Sequence, residues 1–313
     1  MIAWIETGIV TVQGWIYEQL VQPALFAADL MFFSEQAFDA VEWFVIGMLE
    51  IAMLALAFGW FERRWPAEPV TDRRAVRTDV LYTLLHRLGA VPLLVFALIT
   101  PVVDALEGHL RLWGFSRLNV DQVWPGVTDG PLVSFLIYLL LLDLVDYWMH
   151  RGQHRWRWWW ALHAVHHSQR QMTFWSDNRN HLLDDILRDA ILAAVAVMIG
   201  VAPGQFITLI VASRVLQSLQ HANLRWRWGA VGERILVSPS FHRLHHAIGY
   251  GHEGKAGGCN FAVLFPIWDV LFGTADFRPG FVPTGIRDQL TGRDYGRGFW
   301  SQQWLGLRRL FGR

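Results

Sequence analysis

The sequence predicts an all-α integral membrane protein, and three observations predict it. Of the 313 residues, 53% are hydrophobic and only 17% are charged, against about 25% charged in a typical soluble domain. Apolar runs of roughly span length recur along the first two thirds of the chain. Tryptophan is used 18 times, and its ring favours the membrane–water interface, where the indole body is buried and the N–H stays wet. The formal net charge of zero implies no nucleic-acid partner. A single cysteine, Cys259, excludes an intrachain disulfide and any CxxC site.

Residues 1–40 are apolar but broken by acids, and read as an interfacial helix or a weak first span. They lack the basic stretch that opens a cleavable signal peptide. Residues 43–61 form the first clear span, with Glu50 near its middle, an acid best read as a paired or protonated structural group. Residues 80–103 form a second span and 131–149 a third, each near the length that a ~30 Å hydrocarbon layer requires. Residues 186–218 read as two short helices split by Gly200 and Pro203-Gly204, a hairpin that enters and leaves from one side. Residues 219–313 are too polar to span. This gives about four membrane helices or helix pairs in one structural domain: an N-terminal membrane region (1–130), a histidine-rich catalytic region (131–280) and a C-terminal tail (281–313). No Lys or Arg occurs before Arg63, whereas arginines cluster at 63–77 and 151–170. The positive-inside rule therefore places those loops, and the histidines with them, on the cytoplasmic side of a bacterial-type inner membrane or an ER-like membrane.

Ten of the thirteen histidines lie between 150 and 246. His150 and His154 form an HxxxH pair at the end of the third span. His163, His166 and His167 form an HxxHH cluster, and His242, His245 and His246 form another. Positions i, i+3 and i+4 share a helix face, so each cluster presents several imidazoles together. Neutral imidazole is a common ligand of iron, zinc and copper. A lone histidine is more often a structural residue, but three clusters on one side of a membrane are poorly explained as packing. The motif is not HExxH, so no glutamate stands ready as a hydrolytic base. The ligand number exceeds a single zinc site and suits two metal ions. A metal transporter or sensor is the competing reading, but transport sites lie near the bilayer midplane, and these clusters follow the spans. A bis-histidine haem protein needs one histidine per haem face rather than triplets.

The order HxxxH, HxxHH, HxxHH, flanked by spans, resembles the fatty acid hydroxylase/sterol desaturase superfamily. Asp146-Tyr-Trp before His150, Gln220-His221-Ala-Asn223, Pro239, Asn260-Phe261, Trp268-Asp269 and Phe272-Gly273-Thr274 agree with it. The resemblance implies a membrane oxidoreductase that uses two iron ions and O₂ to hydroxylate a lipid C–H bond, with desaturation as the alternative outcome. The lipid is fatty acyl, sterol-like, carotenoid or aminolipid. Zinc is an expected substitute for iron in recombinant protein, since it binds such sites more tightly than Fe²⁺. The chain carries no haem, flavin or iron–sulfur motif, so a separate ferredoxin- or cytochrome-type donor is expected. The RxHPxE element of the family reads here Arg179-Asn180-His181-Leu182-Leu183-Asp184, without the proline and with Asp for Glu; His181 is nevertheless expected as a ligand or directly behind the ligands. His221 is expected as a ligand, in Gln217-Ser-Leu-Gln-His221, where Gln217 either holds a water on the metal or makes an ordinary hydrogen bond. Asp146, one turn before His150, either accepts that imidazole's free N–H or pairs with an arginine such as Arg151. His86, His109 and His252 lack matching partners and are expected not to be ligands. The Trp156–Trp160 run is expected to anchor at the interface, and the glycine-rich loop from Ala247 to Gly258 to act as a lid.

Overall fold

A computed structural model describes residues 2–115, 118–249 and 257–312. Among them the chain is helical, with one isolated β-bridge between Ala247 and Thr284 as the only extended pairing. Helix α1 (Ile2–Ile16) continues through a π-helical turn (Tyr17–Val21) into α2 (Gln22–Ala27). This arm lies against α3 (Ser34–Arg64): Gln13 donates to the Phe38 carbonyl, and Tyr17 packs edge-on to Phe38 and bonds Ser34.

The expected second span, 80–103, is two helices. The amphipathic α4 (Arg73–Arg87), capped by the Asp72 carboxylate on the Ala75 N–H, ends at Leu88, and α5 (Ala90–Leu112) begins after Gly89. Gly89 has φ +93°, a left-handed conformation that only glycine adopts at no steric cost. The hydropathy of the stretch runs through this break, which is why a window over the sequence misses it. Next come α6 (Pro131–Arg155), opened by proline at its first position, and α7 (Arg157–His167). Helices α8 (Leu182–Ile199) and α9 (Pro203–His221) form the hairpin. Both are longer than the apolar stretch, and their turn reaches far along α6, where the Tyr138 hydroxyl donates to the Ile199 and Gly200 carbonyls. The remaining helices are short: α10 (Gly229–Gly232), α11 (Pro239–His245) and α12 (Ile267–Leu271), then α13 (Phe299–Leu310).

Three segments are long and apolar enough to cross a membrane: Met31–Arg64, Ala90–Leu112 and Pro131–Arg155. Their outer faces carry the exposed leucines that water would not tolerate in a row, among them Leu49, Leu56, Leu98, Leu106, Leu132 and Leu136. The inner faces pack. Tyr138, Leu139 and Leu142 of α6 meet Leu192 and Ala196 of α8 and Leu209 of α9, while Val91, Val95 and Ile99 of α5 meet Leu182, Ile186 and Ala190 of α8.

The expected tail is folded back onto the core. Gln303 of α13 donates to the Tyr82 hydroxyl and the Asn180 carbonyl, and its Oε1 accepts from the Leu182 N–H. The bundle is stitched inside by charges. Arg87, fully buried, donates to Glu50 at 2.5 Å, to Ser218 at 2.7 Å and to Asp177 at 3.3 Å. Glu50 is thus a paired structural acid. The close approach depends on Gly47, since a Cβ there would lie 1.7 Å from the Arg87 carbonyl oxygen.

Candidate metal centre

Helix α6 runs past the end of its apolar stretch and delivers His150 and His154. Helix α7 delivers His163, His166 and His167, α9 ends on His221, and α11 with the residue after it delivers His242, His245 and His246. The short α11 is fixed at its start by the Ser238 hydroxyl, which accepts from the Phe241 N–H, and by Pro239. These four elements meet end to end, and all nine imidazoles are buried.

They sort into two groups. His150, His154, His167 and His245 each offer a ring nitrogen within 4.8 Å of the other three, and so do His166, His221, His242 and His246. In the second group Nε2 of His221 lies 3.2 Å from that of His166 and 3.0 Å from that of His242, and Nε2 of His246 lies 3.1 Å from that of His242. Four ligands at 2.0–2.1 Å around a tetrahedral ion stand ~3.3 Å apart along each edge, so the spacing suits a metal ion at the centre. His163 sits between the groups, its ring centre 5.2 Å from His150 and 5.3 Å from His166.

The far side of several rings fixes the tautomer. Nδ1 of His150 is 2.8 Å from the Phe261 carbonyl oxygen, Nδ1 of His245 is 2.8 Å from that of Cys259, and Nδ1 of His221 is 2.8 Å from that of Gln217. A carbonyl oxygen only accepts, so each Nδ1 carries the proton and each Nε2 keeps its lone pair turned inward, the arrangement that orients metal-binding histidines. His163 Nδ1 donates to Asp184, whose carboxylate also accepts from Gln153 and from the Trp159 indole at 2.6 Å. Burial, reinforced by neighbouring imidazoles, holds His166, His167, His242 and His246 well below the usual histidine range, which favours the neutral form that can bind a metal ion.

The carbonyls that hold the first group come from a loop the sequence did not single out for this role. Asp269 accepts from the Phe261 and Ala262 N–H groups at 2.8 Å and from the Thr274 hydroxyl at 2.6 Å. Asp143 accepts from the Leu264 and Phe265 N–H groups and the Trp268 indole. The Trp268-Asp269 and Gly273-Thr274 pieces thus shape the strip of backbone that His150 and His245 lean on.

His181 is not among the convergent imidazoles. It caps α8, its Nδ1 accepting from the Leu183 N–H and its Nε2–H donating to the Gln303 carbonyl, so both nitrogens are committed to the protein. Asp146 does not hold His150. Arg188 takes it in two bonds of 2.8 Å, and the partner is this arginine of α8 rather than Arg151. Gln217 lines the cavity between the groups, but its amide N–H donates to Ser213. His86 pairs with Asp185 and His109 bonds its own helix, outside both groups; His252 lies outside the described residues, as does most of the Ala247–Gly258 loop. In the tryptophan run, Trp156 and Trp158 are exposed, whereas Trp159 is buried on Asp184 and Trp160 packs on His154 and His167. Arg179 of the expected RxHPxE element pairs with Asp79 at 2.5 Å. Asp177, on Arg87 and Ser218 and 3.6 Å from His221 Nδ1, is the carboxylate that sequence reasoning left out, and Asp184 stood there only as the acidic end of the modified RxHPxE element.

Residues 135–274 match the family model described as fatty acid hydroxylase. This stretch is thus similar to the fatty acid hydroxylases, consistent with the superfamily that the histidine pattern resembles. It is 26% identical over 288 residues to ornithine lipid hydroxylase OlsE of Rhizobium tropici, covering 90% of this chain and 82% of that protein. Human alkylglycerol monooxygenase is 26% identical over 226 residues, which are 72% of this chain but 45% of that protein. Methylsterol monooxygenase 1-1 of Arabidopsis thaliana is 25% identical over 178 residues, 53% of this chain and 56% of that protein. The chain thus spans most of OlsE and about half the length of the other two. No solved structure matches it. All ten expected histidine ligands, from His150 to His246, lie within the matched region.

Proposed function

We propose that this protein hydroxylates a C–H bond of a membrane lipid with O₂, using two histidine-held iron ions in the 131–280 region. The observation that carries the reading is the pair of four-imidazole groups, set at the end of a candidate membrane span and inside the stretch similar to the fatty acid hydroxylases. The reaction balances as R–H, O₂, two electrons and two protons giving R–OH and water. When bound, the metal pair supplies O₂ activation; all-imidazole donors suit iron as well as zinc and copper.

The chain's own residues do the rest. The carbonyls of Phe261, Cys259 and Gln217 fix three Nδ1 protons so that the Nε2 lone pairs stay aimed. Asp184 and Asp177 put negative charge beside His163 and His221 and so offset the charge that metal ions bring into a buried site. A cavity of about 70 Å³ opens between the groups, lined by His150 of the first and by His166, His221 and His242 of the second, with α6, α7, α8 and α9 around it, and is where a C–H bond would be presented. Electrons come from a separate ferredoxin- or cytochrome-type donor, and the histidine face is cytoplasmic. That topology predicts that cysteines placed at Asp121 and Arg170 label from opposite faces of intact cells.

The test of the reaction is product mass. The iron-loaded protein, given a reductase system, the cell's own lipid extract and ¹⁸O₂, is expected to yield a lipid bearing one labelled oxygen. A product lighter by two hydrogens and unlabelled would make the reaction desaturation. No oxidised lipid at all, with both iron ions in place, would overturn the proposal.

A further inference from the structure

The cavity between the histidine groups is polar where an alkyl chain would need it apolar. Besides five of the clustered histidines, Asp146, Asp185, Arg188, Asn180, Gln217 and Gln220 line it, and Met149 and Val263 are its apolar wall. A methylene chain laid there would strip water from these groups and return no hydrogen bond. Its size, about 70 Å³, is below the ~150 Å³ cavity that takes up a benzene ring, which suits a small polar fragment rather than a length of chain.

Among the buried side chains of that lining other than the histidines, one amide stands apart. Asp146 is satisfied by Arg188, Asp185 by His86, and Gln217 by Ser213. Gln220 is 1% exposed, and both its Nε2 and its Oε1 lack a hydrogen-bond partner. Leaving a buried amide unpaired costs on the order of 1–3 kcal/mol for each group, so such a residue signals an absent partner that both donates and accepts. Gln220 is also the residue before His221, so whatever it binds lies next to the second histidine group.

We propose that Gln220 is a substrate-positioning residue that pairs its amide with an amide of the lipid head group, so that the C–H bond oxidised lies beside the polar head and not in mid-chain. This rests on the lipid-hydroxylase reading above and narrows its substrate to amphiphiles with a donor–acceptor group near the target carbon. The amide is preferred to an ester or ether because only it matches both unsatisfied atoms of Gln220.

The test is binding, read apart from turnover. Full-length protein in detergent, loaded with zinc so that no redox step intervenes, is titrated with N-dodecanoylglycine and with its ester counterpart, the dodecanoyl ester of glycolic acid, which differs by N–H replaced with O. Wild type is expected to bind the amide roughly tenfold more tightly, the worth of about one buried hydrogen bond. Gln220→Met, of similar volume, is expected to erase that preference while zinc content stays unchanged. Equal binding of amide and ester by wild type overturns the proposal, and this arm needs no variant to fold. So does a preference that survives in Gln220→Met, or a variant that loses zinc from the second group without losing the preference, which would make Gln220 a support of the metal. Failure of the labelled-oxygen experiment bears on the reaction alone and leaves this result readable.

Discussion

In the first histidine group the outward nitrogens of His150 and His245 reach main-chain carbonyls of one loop, and that loop is pinned by Asp269 and Asp143. In the second group only His221 is held in this way, by a carbonyl of its own helix, while Nδ1 of His166, His242 and His246 has no hydrogen-bond partner. The first group is oriented from outside by a strip of irregular backbone. The second is oriented from within by where three helices end, with Asp177 and the buried Arg87 behind it. Two sites with the same donors therefore depend on different parts of the chain, and damage to one support should not spread equally to both.

The largest effect should come from removing a ligand. His167→Ala and His242→Ala are each expected to lose about one of two metal equivalents by elemental analysis and to abolish lipid oxidation. If both proteins keep two equivalents, the division into two groups is wrong. An intermediate effect should separate the supports. Asp269→Ala frees the Phe261 and Ala262 N–H groups and is expected to weaken metal at the first group by roughly 10–100-fold, as loss of an outer hydrogen bond does elsewhere, with the second group unaffected. Asp177→Asn should do the converse through His221. Competition with a chelator at graded concentrations reads the two affinities, and a parallel loss in either variant would mean that the groups act as one. The smallest effect is expected from Gln217→Ala. Its amide is spent on Ser213, so metal content should stay at two equivalents and affinity should change by less than about threefold; a large loss of metal would return Gln217 to a direct role.

Much of this was legible in the sequence, for physical reasons that also explain the rest. Spans follow from hydropathy, so three of the apolar stretches lie in long helices, whereas the Gly89 break left hydropathy unchanged and went unread. Histidines at i, i+3 and i+4 share a face by helix geometry alone, so the clusters could be placed before any fold. Partners set by tertiary contact could not. Asp146 is on the face of His150, but Arg188 arrives from a helix 42 residues later and takes it. His181 has the side chain of a ligand and the position of a helix cap. The carbonyls that hold His150 and His245 carry no signature, because every residue has one.

Gly47 has a consequence for how the membrane part is made. Because it lets Arg87 press against α3, Glu50 finds its countercharge in a helix that is synthesised after its own. Until then α3 must enter the bilayer with an acid near its centre, at a cost of about 2.5–3.5 kcal/mol if ionised, which its apolar run has to outweigh. Leaving one member of a buried ion pair uncompensated costs about 3–5 kcal/mol, so a docked bundle needs both Glu50 and Arg87 in place. Since Arg87 also bonds Asp177 and Ser218 beside His221, the step that neutralises the span is the step that sets the floor of the second histidine group. One buried arginine thus serves both the acid of the apolar helix and the carboxylate beside the second histidine group.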